Sequence, residues 1–398
     1  MSLEKPFRSV ELFGGAAGLG LGLAQAGFRH EVVVEQNKAA CDTIRYNQQR
    51  GHGLVQGWRI AEADIRTFDL SDIEEEPDLV AGGPPCQSFS IGGKHKGADD
   101  DRNLWPWAIE TVRQLRPRAF VFENVPALIT KHSAYFGYLK LAFQLPELAS
   151  PNGDWEADKG YLQECATQKI RSVPTYRVNF AKLQAADYGT PQRRQRIFLV
   201  GIRDDHEAIW SPPTATHSSA ELLAAKWITG TYWDHHELER PEMDKAGLAF
   251  IRKHNRMPAA DLFSPQPAAL IRHQTTRDAI GDLPVPEKDF ETFPDHCAAP
   301  REARAYKGHT GSRIDDPSLT LRAGVHGVSG GECMIDFGEE AANRYRHFTT
   351  REAARVSSFP DDYHWGPATW SDALAQIGNA VPVALGKAVG TSLAQLLQ

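Results

Sequence analysis

The sequence predicts an α/β protein built on a mostly parallel sheet, with a second, smaller region of different character. Three observations carry this. Short apolar or β-branched runs alternate with helix-length amphipathic segments over the first 125 residues. The runs end in glycines or acids, the punctuation expected at strand ends. The alternation then stops near residue 204, where Pro, His and Trp become frequent. Strands that alternate with helices imply a parallel sheet covered on both faces.

In chain order, residues 10–13 form a short apolar run ending in glycines, and 19–26 suit a helix. HEVVVE at 30–35 is a β-branched strand ending in an acid, and 39–47 is helical. A third strand precedes Asp64. Residues 78–81 make a strand stopped by GGPP, 104–115 an amphipathic helix, and AFVFE at 119–123 a buried strand. Residues 131–173 are less regular; 175–183 and RIFLVGI at 196–202 read as further strands. The end holds two helical stretches, TTREAARVSSF and VALGKAVGTSLAQLLQ. The division expected is therefore 1–203 with 345–398 as one domain and 204–344 as the other.

Composition narrows the classes. The 398 residues are 41% hydrophobic, ordinary for a soluble globular chain. The start lacks a secretory pattern, and no apolar run reaches the ~20 residues needed to span a bilayer, so a cytoplasmic location with no membrane partner is expected. The five cysteines are scattered without a Cys-x-x-Cys pair, which argues for free thiols and against a zinc site. The net charge of −7 does not advertise a nucleic-acid partner, but a duplex feels the local face it touches. Between 251 and 277, Arg252, Lys253, Arg256, Arg272 and Arg277 face one acid, Asp261, and QRRQR at 192–196 adds three arginines. Either cluster alone could be a solvated surface.

Several segments carry chemistry. LFGGAAGLGLGL at 12–23 runs from strand to helix through clustered glycines, which suits close approach of backbone to a ligand or simply a tight turn. Glu35 ends the next strand, where an acid can accept from both hydroxyls of a ribose. Asp64 follows a third strand and could meet an adenine amino group. Together these favour an adenosine-containing cofactor. In GGPPCQSFS, glycines and prolines end a strand in a rigid turn, and Cys86 follows where open α/β sheets build active sites. It reads as an activated nucleophile, against the alternative of a buried small hydrophobe. Glu123 and Asn124 end the next strand, and a carboxyl there can act as an acid if burial raises its pKa. Arg194 and Arg196 fall on one side of a strand by its two-residue period and suit a carbonyl oxygen, carboxylate or phosphate.

Taken in order, GGPPCQSFS, ENV at 123–125, QRRQR and GNAVPV at 378–383 resemble the bacterial DNA (cytosine-5)-methyltransferase family of restriction-modification systems. The resemblance spans nearly the whole chain except about 204–308. It implies a Rossmann-like S-adenosylmethionine-dependent methyltransferase domain and an irregular target-recognition domain whose variable part is about 204–308. It implies Cys86 as nucleophile toward carbon 6 of a flipped-out cytosine, Glu123 as donor to ring nitrogen 3, Arg196 on the 2-oxo oxygen and Arg194 in support. Phe13 would stack on the adenine, Gly15 and Gly18 would leave room for the methionine part, and Glu35 would hold the ribose. Asp64 and Ile65 would contact the adenine, and Leu104, Asn379 and Val381 would complete the cofactor site. Pro85, Gln87, Ser90 and Asn124 fall on the substrate side; Arg252, Lys253, Arg256 and Arg272, with Trp227 and Trp233 nearby, fall in the DNA-contacting region. The 87–103 stretch would close over the base, and the SLTLR segment at 318–322 would organise the recognition region. S-adenosyl-L-homocysteine would be the product, with no metal. Double-stranded DNA is the partner implied, for a monomer working alongside a cognate restriction endonuclease without a stable complex. The first motif departs from the family, reading FGGAAG for Phe-Ala-Gly-x-Gly-Gly, a change among small residues. Glu11 stands where an acid, usually Asp, is common.

Three rivals differ in what they leave unexplained. An RNA cytosine methyltransferase of the transfer-RNA branch would carry a Cys-Phe-Thr tripeptide that the sequence lacks. A nicotinamide-dependent dehydrogenase shares the opening strand and glycines but not Pro-Pro-Cys-Gln, QRRQR or GNAVPV. A non-catalytic DNA-binding regulator has no need of Cys86, Glu123 and Arg196 together.

Overall fold

A computed structural model describes residues 6–73, 76–85, 103–150, 153–168, 173–254, 270–287, 293–300, 302–304, 310–321, 333–339, 341–366 and 368–398. The leading half consists of β1 (Phe7–Leu12), α1 (Gly18–Gln25), β2 (Phe28–Glu35), α2 (Lys38–Gln49), β3 (Arg59–Glu62), β4 (Leu79–Gly82), α3 (Trp105–Leu115) and β5 (Ala119–Asn124). Then come α4 (Ala127–Thr130), α5 (Ser133–Gln144), α6 (Trp155–Thr167), β6 (Tyr176–Gln184) and β7 (Gln195–Arg203).

The seven strands form one sheet in the order β3-β2-β1-β4-β5-β7-β6. β1 to β5 pair in parallel, while β7 runs antiparallel to both β5 and β6. The reversal of β7 decides where the chemistry falls. It brings the amino end of β7, at Arg196, to the same edge as the carboxyl ends of β1, β2, β4 and β5. In register, Glu123 pairs with Phe198 and Asn124 with Ile197.

β4 and the first four residues of β5 are apolar because both faces are covered. Phe120 and Phe122 pack into one cluster with Trp105 and Phe143, and the alternate residues Ala119 and Val121 pack into another with Phe198 and Val200. Local signals start the helices. The Asn37 side chain accepts from the Ala40 amide to cap α2, and Asp154 caps α6.

The rest of the chain has short elements, as its composition suggests. They are β8 (His217–Ser218), α7 (Ser219–Ala224), a π-helical turn (Ala225–Thr229), α8 (Thr231–His235), α9 (Lys245–His254), β9 (Ile271–Arg272), α10 (Thr276–Ile280), β10 (Ser312–Arg313), β11 (Met334–Asp336) and β12 (Tyr345–His347). Leu222, Trp227, Tyr232 and Trp233 make a small core of their own. Trp227 and Trp233, expected near DNA, are therefore buried, at 7% and 5% exposure. Packing also crosses residue 344. β12 pairs with β11, and Ile280, Ile314 and Ile335 share a cluster with Phe348, Ala353 and Leu374.

α11 (Thr350–Val356), α12 (Trp370–Asn379) and α13 (Val383–Leu397) close the chain. Residues 370–397 are long and apolar enough to cross a bilayer by composition, which the sequence reading overlooked. Here they are two helices parted at Pro382, and α13 lies on α1 as a core helix. A Cβ on Gly22 would sit 2.5 Å from the Lys387 amide nitrogen, so the glycines of α1 serve helix packing as well as any ligand.

Candidate active site

The carboxyl edge of the sheet carries two adjoining sites. In the first, the chain leaving β1 turns through three left-handed residues, Phe13 (φ 58), Gly15 (φ 52) and Ala17 (φ 63). For Phe13 and Ala17 this conformation costs about 1–2 kcal/mol each. Gly15 carries no such cost, and a Cβ there would meet nothing within 4 Å. The turn delivers the Gly15 amide to one carboxylate oxygen of Glu35 at 2.8 Å, and the Asn37 amide meets the other at 2.7 Å. Phe13, Glu35, Ile65 and Leu104 line a cleft partly open to solvent, with Val34, Gln36, Ala63 and Pro85. Apolar walls for a base, a carboxylate for vicinal hydroxyls and open space over Gly15 fit an adenosine group.

Other residues named for this cleft are placed differently. Gly18 faces away: its Cβ would fall 2.4 Å from the Val381 carbonyl oxygen and 2.8 Å from Ala380 Cβ. Its small size admits the 380–381 turn rather than a ligand, and buried Val381 meets α1 through that turn. Asn379 is exposed at the end of α12. The Asp64 carboxylate is held by Arg66 at 2.5–3.0 Å, while its neighbours Ala63 and Ile65 line the cleft. Gln36 was missed; its place directly after the acid that ends β2 was the available signal.

In the second site, the Glu123 carboxylate meets the Arg196 Nε at 2.5 Å, with both side chains about nine-tenths buried. Burial pushes the Glu123 carboxyl above the usual carboxylate range, and the Arg196 and Arg194 guanidinium charges oppose that without reversing it. The loop after β4 stands between the two sites. A Cβ on Gly83 would approach Glu123 Oε2 to 3.2 Å, and Pro85 lines the cleft. Asn124 Nδ2 donates to the Pro84 carbonyl at 3.0 Å, and its Oδ1 accepts from the Val125 amide at 2.9 Å. Asn124 is 1% exposed, so it holds the loop and does not face solvent as a substrate contact would. Cys86, Gln87 and Ser90, with Arg256, lie outside the described residues.

Arg194 and Arg196 of the QRRQR segment have different hydrogen-bond partners. Arg194, 1% exposed, donates to the carbonyls of Leu321 (3.0 Å) and Gly378 (2.7 Å), tying two distant segments together. Arg196 meets Glu123 directly, and the Arg194 charge also acts on that carboxyl while its hydrogen bonds go to Leu321 and Gly378. In the 204–344 region, Arg252 and Lys253 are exposed on α9. Arg272 is already paired within the protein. Its guanidinium grips Asp278 at 2.6 and 2.8 Å and stacks on Tyr232 at 5.1 Å. Asp278 also sits with His235 and His236 in a grouping of metal-ligand type, but Arg272 already supplies the positive charge there.

Below the glycine turn lies a buried pair that the sequence reading did not connect. Glu11 and His30 lie 3.5 Å apart, at 1% and 0% exposure. His30 Nδ1 also lies 2.9 Å from the Ser9 hydroxyl. Burial, with Glu35's charge adding and a Gly20 hydrogen bond opposing, pushes Glu11 up to about 8; burial pushes His30 down to about 4. The signal was Ser9, Glu11 and His30 standing on two strands that the alternation predicts to be neighbours.

A family model described as C-5 cytosine-specific DNA methylase matches residues 7–143 and 155–395. The chain is 27% identical over 397 residues to the type II methyltransferase M.PspPI of a Psychrobacter species, covering 99% of this chain and 80% of that one. It is 28% identical to M.MthTI of Methanothermobacter thermautotrophicus, covering 98% and 97%. The solved Entamoeba histolytica methyltransferase EhMeth shares the fold, with a TM-score of 0.57 at 13% identity over 99% of this chain and 100% of that one.

Proposed function

The chain belongs to the C-5 cytosine-specific DNA methylase family, and from that premise we propose that it methylates carbon 5 of a flipped-out cytosine in a short duplex sequence, through a covalent adduct at Cys86. The observation that carries this reading is the three-residue loop Gly83 to Pro85. One end of it abuts the buried Glu123–Arg196 pair, the other lines the adenosine-shaped cleft, and Cys86 is the next residue in sequence.

Carbon 5 of cytosine is a poor nucleophile. Addition of the Cys86 thiolate to carbon 6 forms the S–C bond and pushes the ring's electrons toward nitrogen 3 and the 2-oxo oxygen. Glu123 gives its proton to nitrogen 3, and burial, which raises its pKa, favours the protonated carboxyl. Arg196 faces the 2-oxo oxygen, and its charge stabilises the carboxylate left behind. Carbon 5 is now enamine-like. Bound S-adenosylmethionine would supply the methyl group that carbon 5 takes up, with S-adenosyl-L-homocysteine as the product. Transfer of the carbon 5 proton to water then expels the thiolate, and the nitrogen 3 proton returns to Glu123. The base must leave the stack to reach this site.

Glu35 would hold the ribose, with Phe13 and Ile65 about the adenine and Leu104 on the cleft wall; Asp64 remains at its rim. Residues 204–344 are assigned to target recognition, with Arg252 and Lys253 free to meet phosphates. The names of the relatives favour a modification enzyme of a restriction-modification system acting on DNA in the cytoplasm. Bisulfite sequencing of plasmid grown with the gene tests the reaction. Protected cytosines in one short context, absent with Cys86→Ser, are expected. Protection in neither case would remove DNA cytosine-5 methylation as the activity in that host.

A further inference from the structure

We propose that Asp316 is a positioning residue that couples the recognition region to the Glu123–Arg196 pair, an inference that rests on the methylation reading above. Its two carboxylate oxygens face two regions. One accepts from Lys226 Nζ at 3.0 Å; the other meets Arg193, the first arginine of QRRQR, at 3.3 Å.

The two contacts differ in weight. Arg193 is half exposed, and a surface pair of that kind contributes little by itself. Lys226 is 4% exposed, packed 5.1 Å from the Tyr232 ring centre and 5.9 Å from that of Trp233. A buried ammonium is costly to leave unpaired, so Asp316 is held firmly from the recognition side. The adjacent Asp315 reinforces this, accepting from Arg277 Nε at 2.7 Å and the Tyr232 hydroxyl at 2.8 Å.

From Asp316 the chain is laced directly onto the catalytic strand's lead-in. The Ser318 amide donates to the Pro191 carbonyl at 2.8 Å, and the Arg193 amide donates to the Ser318 carbonyl at 2.8 Å. The Thr320 hydroxyl donates to the Arg193 carbonyl at 2.6 Å, and Arg194 donates to the Leu321 carbonyl. Two residues further, Arg196 meets Glu123. A shift of the small Trp227–Trp233 core on DNA is thereby transmitted to the base of the arginine that faces the cytosine ring. Asp316 carries the wrong charge to bind phosphate, so its role is separable from DNA affinity.

The test is a double-mutant cycle with Asp316→Asn and Lys226→Met, assayed as methyl transfer to DNA carrying the protected sequence. Asp316→Asn is expected to lower kcat about tenfold with the KM for S-adenosylmethionine unchanged, and the double variant to lose no more than the worse single one. Additive losses, or tighter DNA binding at unchanged kcat as simple removal of a negative charge would give, overturn the proposal. Amide hydrogen exchange of the full-length Lys226→Met protein provides a readout independent of turnover. Faster exchange at Arg193 and Ser318, with 120–122 unchanged, is expected; unchanged exchange at both overturns the coupling. Wild-type activity in the same assay reads the methylation proposal by itself, so the two failures are distinguishable.

Discussion

Replacing Glu11 by Gln should flatten the fall in stability between pH 6.5 and 8. In the native protein Glu11 keeps its proton up to about pH 8, while His30 stays neutral down to about pH 4. In the unfolded chain these groups titrate at their ordinary values, 4.5 and 6.5. Between pH 4.5 and 6.5 each state binds one proton on this pair, through Glu11 when native and His30 when unfolded. The pair then contributes no slope. Above 6.5 the unfolded chain binds none and the native protein still binds one, so stability falls as pH rises. The slope is about 1.4 kcal/mol per pH unit, or roughly 2 kcal/mol lost by pH 8. Burial opposes ionisation of Glu11 and outweighs the Gly20 hydrogen bond that favours it; Glu35 adds like charge, and Tyr363, buried and donating to the Ala16 carbonyl at 3.1 Å, stays neutral. The Glu11→Gln variant would keep a neutral side chain at every pH and leave only the His30 contribution, which is complete by 6.5. Urea unfolding of both proteins at pH 6.5 and 8.0 measures the difference between their slopes, in which all other groups cancel. Equal losses in the two proteins would refute the argument.

Gly18→Ala should cost about 1–3 kcal/mol, because the atoms its Cβ would meet belong to the 380–381 turn and cannot swing aside; an unchanged urea midpoint would show that the turn yields freely. Asn124→Ala should lower kcat about tenfold while calorimetric affinity for S-adenosylmethionine holds, since the Pro84 carbonyl loses its partner and the loop before Cys86 loosens. Equal kcat would mean the loop is held by its prolines alone. Arg252→Gln should reduce the slope of log K against log salt for DNA by about 1, and Arg272→Gln should leave that slope unchanged while lowering stability through the stranded Asp278. The reverse pattern would place the DNA face on the wrong side of α9.

What the sequence made legible followed from local rules. Strand-to-helix alternation, the acid ending β2 and the proline turn after β4 each depend on a few neighbouring residues, so the sheet edge and the Glu35 cleft could be read directly. Glycines misled, because a missing side chain looks the same whether it admits a cofactor, as at Gly15, or another backbone, as at Gly18. Arginines misled for a related reason. A guanidinium in QRRQR or near 272 is as useful for binding distant carbonyls and carboxylates as for binding DNA, and the partners Leu321, Gly378 and Asp278 are set by tertiary packing. The antiparallel turn of β7, which puts Arg196 beside Glu123, left no mark in the local pattern. The Glu11–His30 pair is likewise a product of parallel register between β1 and β2.

A trapped Cys86 adduct would distinguish covalent from direct methyl transfer. A duplex carrying 5-fluorocytosine at the methylated position has no carbon 5 proton to lose after methyl transfer, so the thiolate cannot be expelled. Incubation with S-adenosylmethionine should give a stoichiometric protein–DNA species, with the mass of the methylated fluoropyrimidine on the peptide containing Cys86, and none with Cys86→Ser. Normal methylation of cytosine with no trapped species on the fluorinated duplex, or attachment at another residue, would contradict the account.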